Sequence, residues 1–222
     1  MSSYIKFYIK RARRAQRNLR ERIIMEDALP SPLRLICGLD ASYKCGQIIA
    51  TAVLLSVDSL EVVEWTSHIS KPPIPYIPTL LAFREAPALI AAIRQLSKEP
   101  DLLVVDGHGY AHPFRCGIAS HLGVVLNKPS IGVAKKILCG TPQGSAVRKW
   151  RPVVDKGEII GAEVYTVEGE KPIYVSVGHR VSLPTAVKLV LEWVRGHRLP
   201  EPTRLAHHYS RVAVKEVKCR ES

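Results

Sequence analysis

No segment of this 222-residue chain repeats, and no apolar run reaches the roughly 18 residues that a membrane span requires. Repeat arrays and transmembrane helices are therefore excluded by pattern. Zinc modules and disulfide frameworks are disfavoured too. Cys37, Cys45, Cys116, Cys139 and Cys219 are odd in number, widely spaced and contain no C-x-x-C pair, which suits a reducing cytoplasm. The N-terminus is basic but lacks the apolar stretch of a secretory signal. Acid is the other scarcity. Twenty Asp and Glu face thirty-two Lys and Arg, for a net charge of +12 and a pI near 9.7. That balance points to a polyanionic partner.

The positive charge is uneven. Residues 1–22 hold Lys6, Lys10, Arg11, Arg13, Arg14, Arg17, Arg20 and Arg22 against Glu21 alone, so this segment is +7 and the other 200 residues carry +5. Nucleic acid is the first reading of such an arm and an anionic membrane surface the second; a solvated basic helix is the bland one. The division expected is a basic helical arm over residues 1–30 and a single-core domain over 31–222. Within that domain, Leu33 to Ser42, Ile48 to Leu55 and Val62 to Ile69 read as an antiparallel meander. Pro72, Pro73, Pro75 and Pro78 then forbid both helix and sheet interior. Phe83 to Leu96 reads as helix, Asp101 to Asp106 as a buried parallel strand, Gly117 to Leu126 as helix and Ser130 to Ala134 as strand. Ile159–Val167 and Ile173–Val177 are further strands, and Leu183 to Arg195 and a segment opened by Pro202 are further helices. The fold class is α/β: a mixed sheet of three antiparallel strands followed by parallel ones, flanked by helices.

Asp40 and Asp106 each end an apolar run. A carboxylate at the end of a buried strand must be paired, hydrogen-bonded or bound to a cation. On neighbouring strands the two would converge, and a hard divalent cation relieves their repulsion. Taken singly, either is as well explained as a cap or turn residue. Asp106 is followed by Gly107-His108-Gly109-Tyr110-Ala111-His112-Pro113, a density of glycine and histidine that a tight turn alone does not need. Glu85 sits where a first helical turn favours an acid anyway. Lys135 reads equally as a rim lysine, and of His207 and His208 at most one faces the acids. Tyr76, between Pro75 and Pro78, is either a stiff wedge for parting stacked bases or a pin for a surface loop.

In order along the chain stand Gly38-Leu39-Asp40-Ala41-Ser42-Tyr43, Pro75-Tyr76-Ile77-Pro78, Phe83-Arg84-Glu85-Ala86-Pro87, Asp106-Gly107-His108-Gly109, Ala111-His112-Pro113, Gly132-Val133-Ala134-Lys135, Val177-Gly178-His179-Arg180 and Glu201-Pro202-Thr203-Arg204-Leu205-Ala206-His207. This set resembles the endonuclease V family, the deoxyinosine-directed repair nucleases. The resemblance implies an RNase H-like fold and hydrolysis of the second phosphodiester bond 3′ to hypoxanthine in DNA. It implies dependence on Mg²⁺, with Mn²⁺ as a substitute, and products bearing 3′-hydroxyl and 5′-phosphate. It assigns Asp40 and Asp106 to metal binding, Glu85, Lys135 and His207 to the catalytic site, and Tyr76 to the wedge. Ile77, Thr79, Leu81, Gly109 and His112 would face the nucleic acid, with backbone N–H groups around Gly107, Gly109 and the Ile77 to Leu81 loop reading the O6 of the base. The family commonly has glycine where this chain has Thr79, a side chain that would narrow the base pocket. Inosine-containing DNA is the expected partner and a monomer the expected state. The rivals are an inosine-specific ribonuclease, since the base edge is the same in RNA, another RNase H-like nuclease, and a non-catalytic nucleic-acid-binding protein.

Overall fold

The computed structural model describes residues 3–147 and 149–219, residues 3–6 through their backbone alone. After helix α1 (Ser3–Arg20), strands β1 (Leu35–Lys44), β2 (Gln47–Ser56) and β3 (Val62–Ser70) form the antiparallel meander. The β1–β2 turn is two residues long, and both Cys45 and Gly46 take positive φ, as a twist-matched hairpin turn demands. Helix α2 (Leu81–Ile93) leads to β4 (Leu102–Asp106), which lies parallel to β1, and α3 (Ile118–Leu126) leads to β5 (Ser130–Ala134), parallel to β4. Then follow β6 (Thr141–Pro142), β7 (Trp150–Asp155), β8 (Glu158–Val164), β9 (Ile173–His179), α4 (Leu183–Glu192) and α5 (Glu201–Glu216).

All nine strands join one sheet in the order β3-β2-β1-β4-β5-β9-β8-β7-β6. The parallel stretch is shorter than the sequence suggests, because β6 to β9 are antiparallel to their neighbours. Loops as short as the one between β8 and β9 cannot make a parallel crossover, which needs a dozen residues or more. Two apolar clusters cover the sheet faces. Cys37, Leu39, Leu103 and Val105 pack against Ala86, Leu89 and Leu122 of α2 and α3. Ile36, Val104, Ile131 and Val175 pack on the other face with Val187 and Val190 of α4 and Ala206 of α5. Successive strand residues alternate between these clusters, so the parity of a residue decides which layer it meets. No helix among the described residues is long and apolar enough to cross a membrane.

One cysteine expectation is corrected. Cys45, at the β1–β2 turn, and Cys219, beyond α5, form a disulfide across 174 residues of sequence. Spacing could not reveal it; only the fold brings their Cα atoms to 5.6 Å. Cys37, Cys116 and Cys139 remain free.

Candidate functional site

Leu39 pairs with Val105 in the parallel register of β1 and β4. The next residue of each strand, Asp40 and Asp106, therefore emerges side by side at the carboxyl ends of the strands, where open α/β sheets hold their ligands. Both share the parity of Ile36 and Val104, so both side chains rise on the α5 face. Asp106 lies opposite Val133 of β5, and Lys135, two residues on, shares its face; Lys135 Nζ donates to Asp106 Oδ2 at 2.6 Å.

Helix α5 delivers the histidine. A Cβ built on Gly38 of β1 would lie 1.9 Å from the Pro202 carbonyl oxygen, so only glycine lets α5 approach this closely. Further along, Ser42 and Ser210 hydroxyls meet at 2.5 Å and Lys44 Nζ donates to the Val214 carbonyl at 2.9 Å. Between these anchors, His207 Nδ1 comes within 3.2 Å of Asp40 Oδ2. One ligand atom each from Asp40, Asp106 and His207 fall within 4.8 Å of one another. His208 points elsewhere and packs edge-on against Tyr209.

Glu85 reaches the same end of the sheet from α2. It is buried, and its pKa is pushed up to about 7, first by burial and further by the charges of Asp40 and Asp106. Tyr43 donates to Glu85 Oε1 at 2.8 Å, and Arg84 donates to the Tyr43 hydroxyl while stacking over its ring. Burial likewise raises the Asp106 carboxyl, with Lys135 opposing and Asp40 adding to the effect. Tyr43 and Arg84 were not among the expected residues. Their signal was parity: Tyr43 is odd-numbered like Leu39, hence on the α2 layer beside Glu85.

Beside the carboxylates lies a cleft of about 120 Å³, lined by Tyr76, Thr79, Leu81, Ala82, Gly107, His108, His112, Cys116, Gly117, Ile118 and Leu138. Tyr76 stands on its rim, 65% exposed. His112 is buried, and burial presses its pKa down to about 4. Phe114 N–H donates to His112 Nδ1 at 3.1 Å, which leaves the proton of the neutral ring on Nε2.

Two of the expected residues stand off the cleft wall. Ile77 turns its carbonyl to Leu80 N–H. Gly109 is a packing glycine: its Cβ position is 2.1 Å from the Val177 carbonyl oxygen. Its N–H donates to Ser176 Oγ and that of Gly107 to the Val133 carbonyl, so neither amide is available to a base. Donors remain at the end of the Ile77 to Leu81 loop. Leu80 and Phe83 amides are used within the turn, and Leu81 and Ala82 open α2 without intrahelical acceptors.

A mixed sheet with two carboxylates ending adjacent parallel strands, joined by a lysine and a helix-borne histidine, defines an RNase H-like nuclease, a hydrolase of phosphodiester bonds. The chain belongs to the endonuclease V family, whose model matches residues 17–208. It is 47% identical over 197 residues to endonuclease V of Roseiflexus sp. strain RS-1, covering 88% of each chain. The crystal structure of endonuclease V from Streptomyces avermitilis superimposes with a TM-score of 0.88 at 39% identity, over 93% of each chain. That of Ciona intestinalis endonuclease V, in complex with DNA containing an inosine followed by a ribo-adenosine, superimposes at 0.84 with 30% identity, over 98% of this chain and 100% of that one.

Proposed function

We propose that the protein cleaves DNA at the second phosphodiester bond 3′ to deoxyinosine, leaving a 3′-hydroxyl and a 5′-phosphate. The observation that carries this reading is the cluster of Asp40, Asp106 and His207 near a cleft lined by Tyr76, Gly107 and His112. The ligand found in the Ciona complex, an inosine-containing DNA, supports the choice of base.

The donor set suits Mg²⁺ or Mn²⁺: carboxylate oxygens from Asp40 and Asp106 with one imidazole, and no thiolate near them. When bound, such an ion supplies positive charge to the phosphoryl transition state and eases deprotonation of the attacking water. Lys135, drawn to Asp106 at 2.6 Å, is placed to share its charge with a scissile phosphate. Glu85, its carboxyl raised first by burial, stands at the rim of the carboxylate cluster, where it can exchange a proton. Tyr43 and Arg84 fix its orientation.

For the base, Tyr76 fills the gap that an everted nucleotide leaves in the stack. The amides of Leu81 and Ala82 offer donors to the hypoxanthine O6 and ring nitrogens, while His112, hydrogen-bonded to the Thr79 backbone, shapes the wall beside them. Adenine would present an amino group to the O6 donors and leave them unpaired, at about 1–3 kcal/mol each. The test is cleavage of matched oligonucleotides bearing inosine in DNA, inosine in RNA, or guanine, with product ends mapped. Cutting one bond away from inosine in DNA supports the reading. Preference for the RNA transfers it to an inosine ribonuclease, and equal cutting of the guanine duplex removes the base pocket altogether.

A further inference from the structure

Thr79 is a β-branched residue at φ +67°. That left-handed conformation is a genuine outlier for such a side chain and persists only where the surroundings impose it. Here the surroundings come from α1. Arg13 donates one nitrogen to Thr79 Oγ1 at 2.5 Å and to the Pro78 carbonyl at 3.4 Å, and the other to the Thr79 carbonyl at 3.3 Å. Gln16 is buried, and its Nε2 donates at once to the Thr79 carbonyl, at 3.1 Å, and to the Cys116 carbonyl, at 2.9 Å. Its Oε1 accepts from Arg13 at 2.9 Å. The Arg13 guanidinium also lies 4.0 Å from the centroid of the Phe114 ring.

Two walls of the cleft, joined directly by a hydrogen bond between His112 and the Thr79 backbone, are thus tied further by residues of a helix that contributes no side chain to the lining. One wall is the Pro75–Thr79 loop carrying Tyr76; the other is the turn around His112 and Cys116. Arg13 is the one basic residue of the helix's middle turns that faces inward, since Lys10, Arg11, Arg14 and Arg17 are exposed. An arginine meant for phosphate would not be spent on two backbone carbonyls, a hydroxyl and an aromatic face. We propose that Arg13 and Gln16 are positioning residues for lesion recognition. They hold Thr79 in its left-handed conformation and so fix the width of the cleft and the stance of Tyr76 at its rim. The proposal rests on the cleft's being the base pocket.

The experiment compares wild type with Arg13→Ala, Arg13→Lys, Gln16→Ala, Thr79→Gly and the double variant Arg13→Ala/Thr79→Gly, all as full-length chains. Three readouts are taken: kcat and KM on a single-inosine DNA duplex, binding of the same duplex without the lesion, and hydrogen–deuterium exchange over residues 76–82. Arg13→Ala is expected to speed exchange across this loop and to lower kcat/KM on inosine DNA about tenfold or more. Lysine should rescue poorly, having no fork to span two acceptors. In the Thr79→Gly background the same Arg13 substitution should cost severalfold less, since glycine takes positive φ unaided. Additive losses in the double variant, or unchanged exchange in Arg13→Ala, would overturn the clamp. So would a loss in which binding to undamaged DNA falls by the same factor, the mark of a phosphate contact. Exchange responds whether or not inosine is the substrate. Faster exchange in Arg13→Ala beside a wild type indifferent to inosine would refute the base pocket and spare the loop restraint.

Discussion

Asp40→Asn should make the protein more stable in chelator and inactive in Mg²⁺, and both signs follow from one geometry. The Asp40 and Asp106 carboxylates bring oxygens within 4.8 Å. Two unit charges at that distance repel by about 0.9 kcal/mol in water and by ~3.5 kcal/mol at an effective dielectric constant of 20. The side chains are 11% and 13% exposed, so the repulsion lies between those limits. The Asp106 carboxyl is raised first by burial, against the pull of Lys135, and Asp40 adds a smaller push in the same direction. Lys135 bonds Asp106, so replacing Asp40 leaves that ion pair in place. Only the His207 contact at 3.2 Å is lost or exchanged for an amide one.

In chelator, the Asn variant is therefore expected to gain about 1–2 kcal/mol in unfolding free energy. With Mg²⁺ at a hundred times its dissociation constant, wild type gains about 2.7 kcal/mol and the variant little, because a main ligand is gone. Cleavage of inosine DNA should fall by about a hundredfold or more, while binding of the same duplex holds or tightens, since a negative charge near phosphate has been removed. Urea denaturation with and without Mg²⁺, beside single-turnover cleavage, reads all three. A variant that cuts at the wild-type rate would refute the two-aspartate site. One destabilised in chelator yet still protected by Mg²⁺ would refute the repulsion argument.

Tyr76→Ala should lower lesion-dependent cutting at least tenfold while moving Tm by less than about 2 °C, because the ring is largely exposed and supports no core; a large Tm drop would return it to a structural pin. Replacing Lys10, Arg14 and Arg17 together by alanine should weaken binding of all DNA alike and flatten the log K–log salt slope by roughly one unit per lost phosphate contact; an unchanged slope would leave the outer face of α1 merely solvated. His121, edge-on to Phe83 with Nδ1 unpartnered, has its pKa pressed by burial to about 4. The unfolded chain takes up its proton first, so stability should fall by up to ~3 kcal/mol as pH drops from about 6.5 to 4; His121→Phe should flatten that slope in denaturation at several pH values. Reduction of Cys45–Cys219 should cost about 2–5 kcal/mol, given the long loop it closes. Equal denaturation midpoints with and without reductant would show that it contributes nothing.

The parts of the fold that could be read from residues were those in which local pattern and packing agree. The meander, the buried strand ending at Asp106, and Ser130–Ala134 all stand where alternation or an unbroken apolar run put them. Strands β6 and β7 did not show. Thr141–Pro142 is two residues long, and Pro152 inside β7 pairs with Ala162 while lacking the donor a strand interior normally needs. α4 stops at Glu192, short of the Gly196 expected to end it, because a glycine signals where a helix cannot continue rather than where it does end. Of the site, the strand-end acids were legible because charge after a buried run is anomalous. The Arg13–Thr79 contact was not, since it joins residues 66 apart in sequence. In a run of seven basic side chains from Lys6 to Arg20, nothing local distinguishes the one that turns inward.

Asp106 and Gly107 are consecutive, yet they serve different halves of the site. Asp106 ends the alternation of β4 on the α5 face, among the carboxylates and His207. Gly107 lies on the wall of the cleft below Tyr76, close against Ile118 of α3. The sheet itself thus stands between the cleft and the carboxylates, with one peptide bond crossing from one to the other. Its N–H is fixed to the Val133 carbonyl of the neighbouring strand, so the crossing point cannot slide. A nucleotide seated in the cleft would then have its own phosphates held at a set offset from the carboxylates, and the bond to be cut would be chosen by distance along the strand rather than by the base next to it. On the proposed function, this arrangement would set the cut at a constant offset from the everted base in any sequence. The neighbouring bases need not be read, and the phosphate backbone, uniform in spacing, carries the measurement.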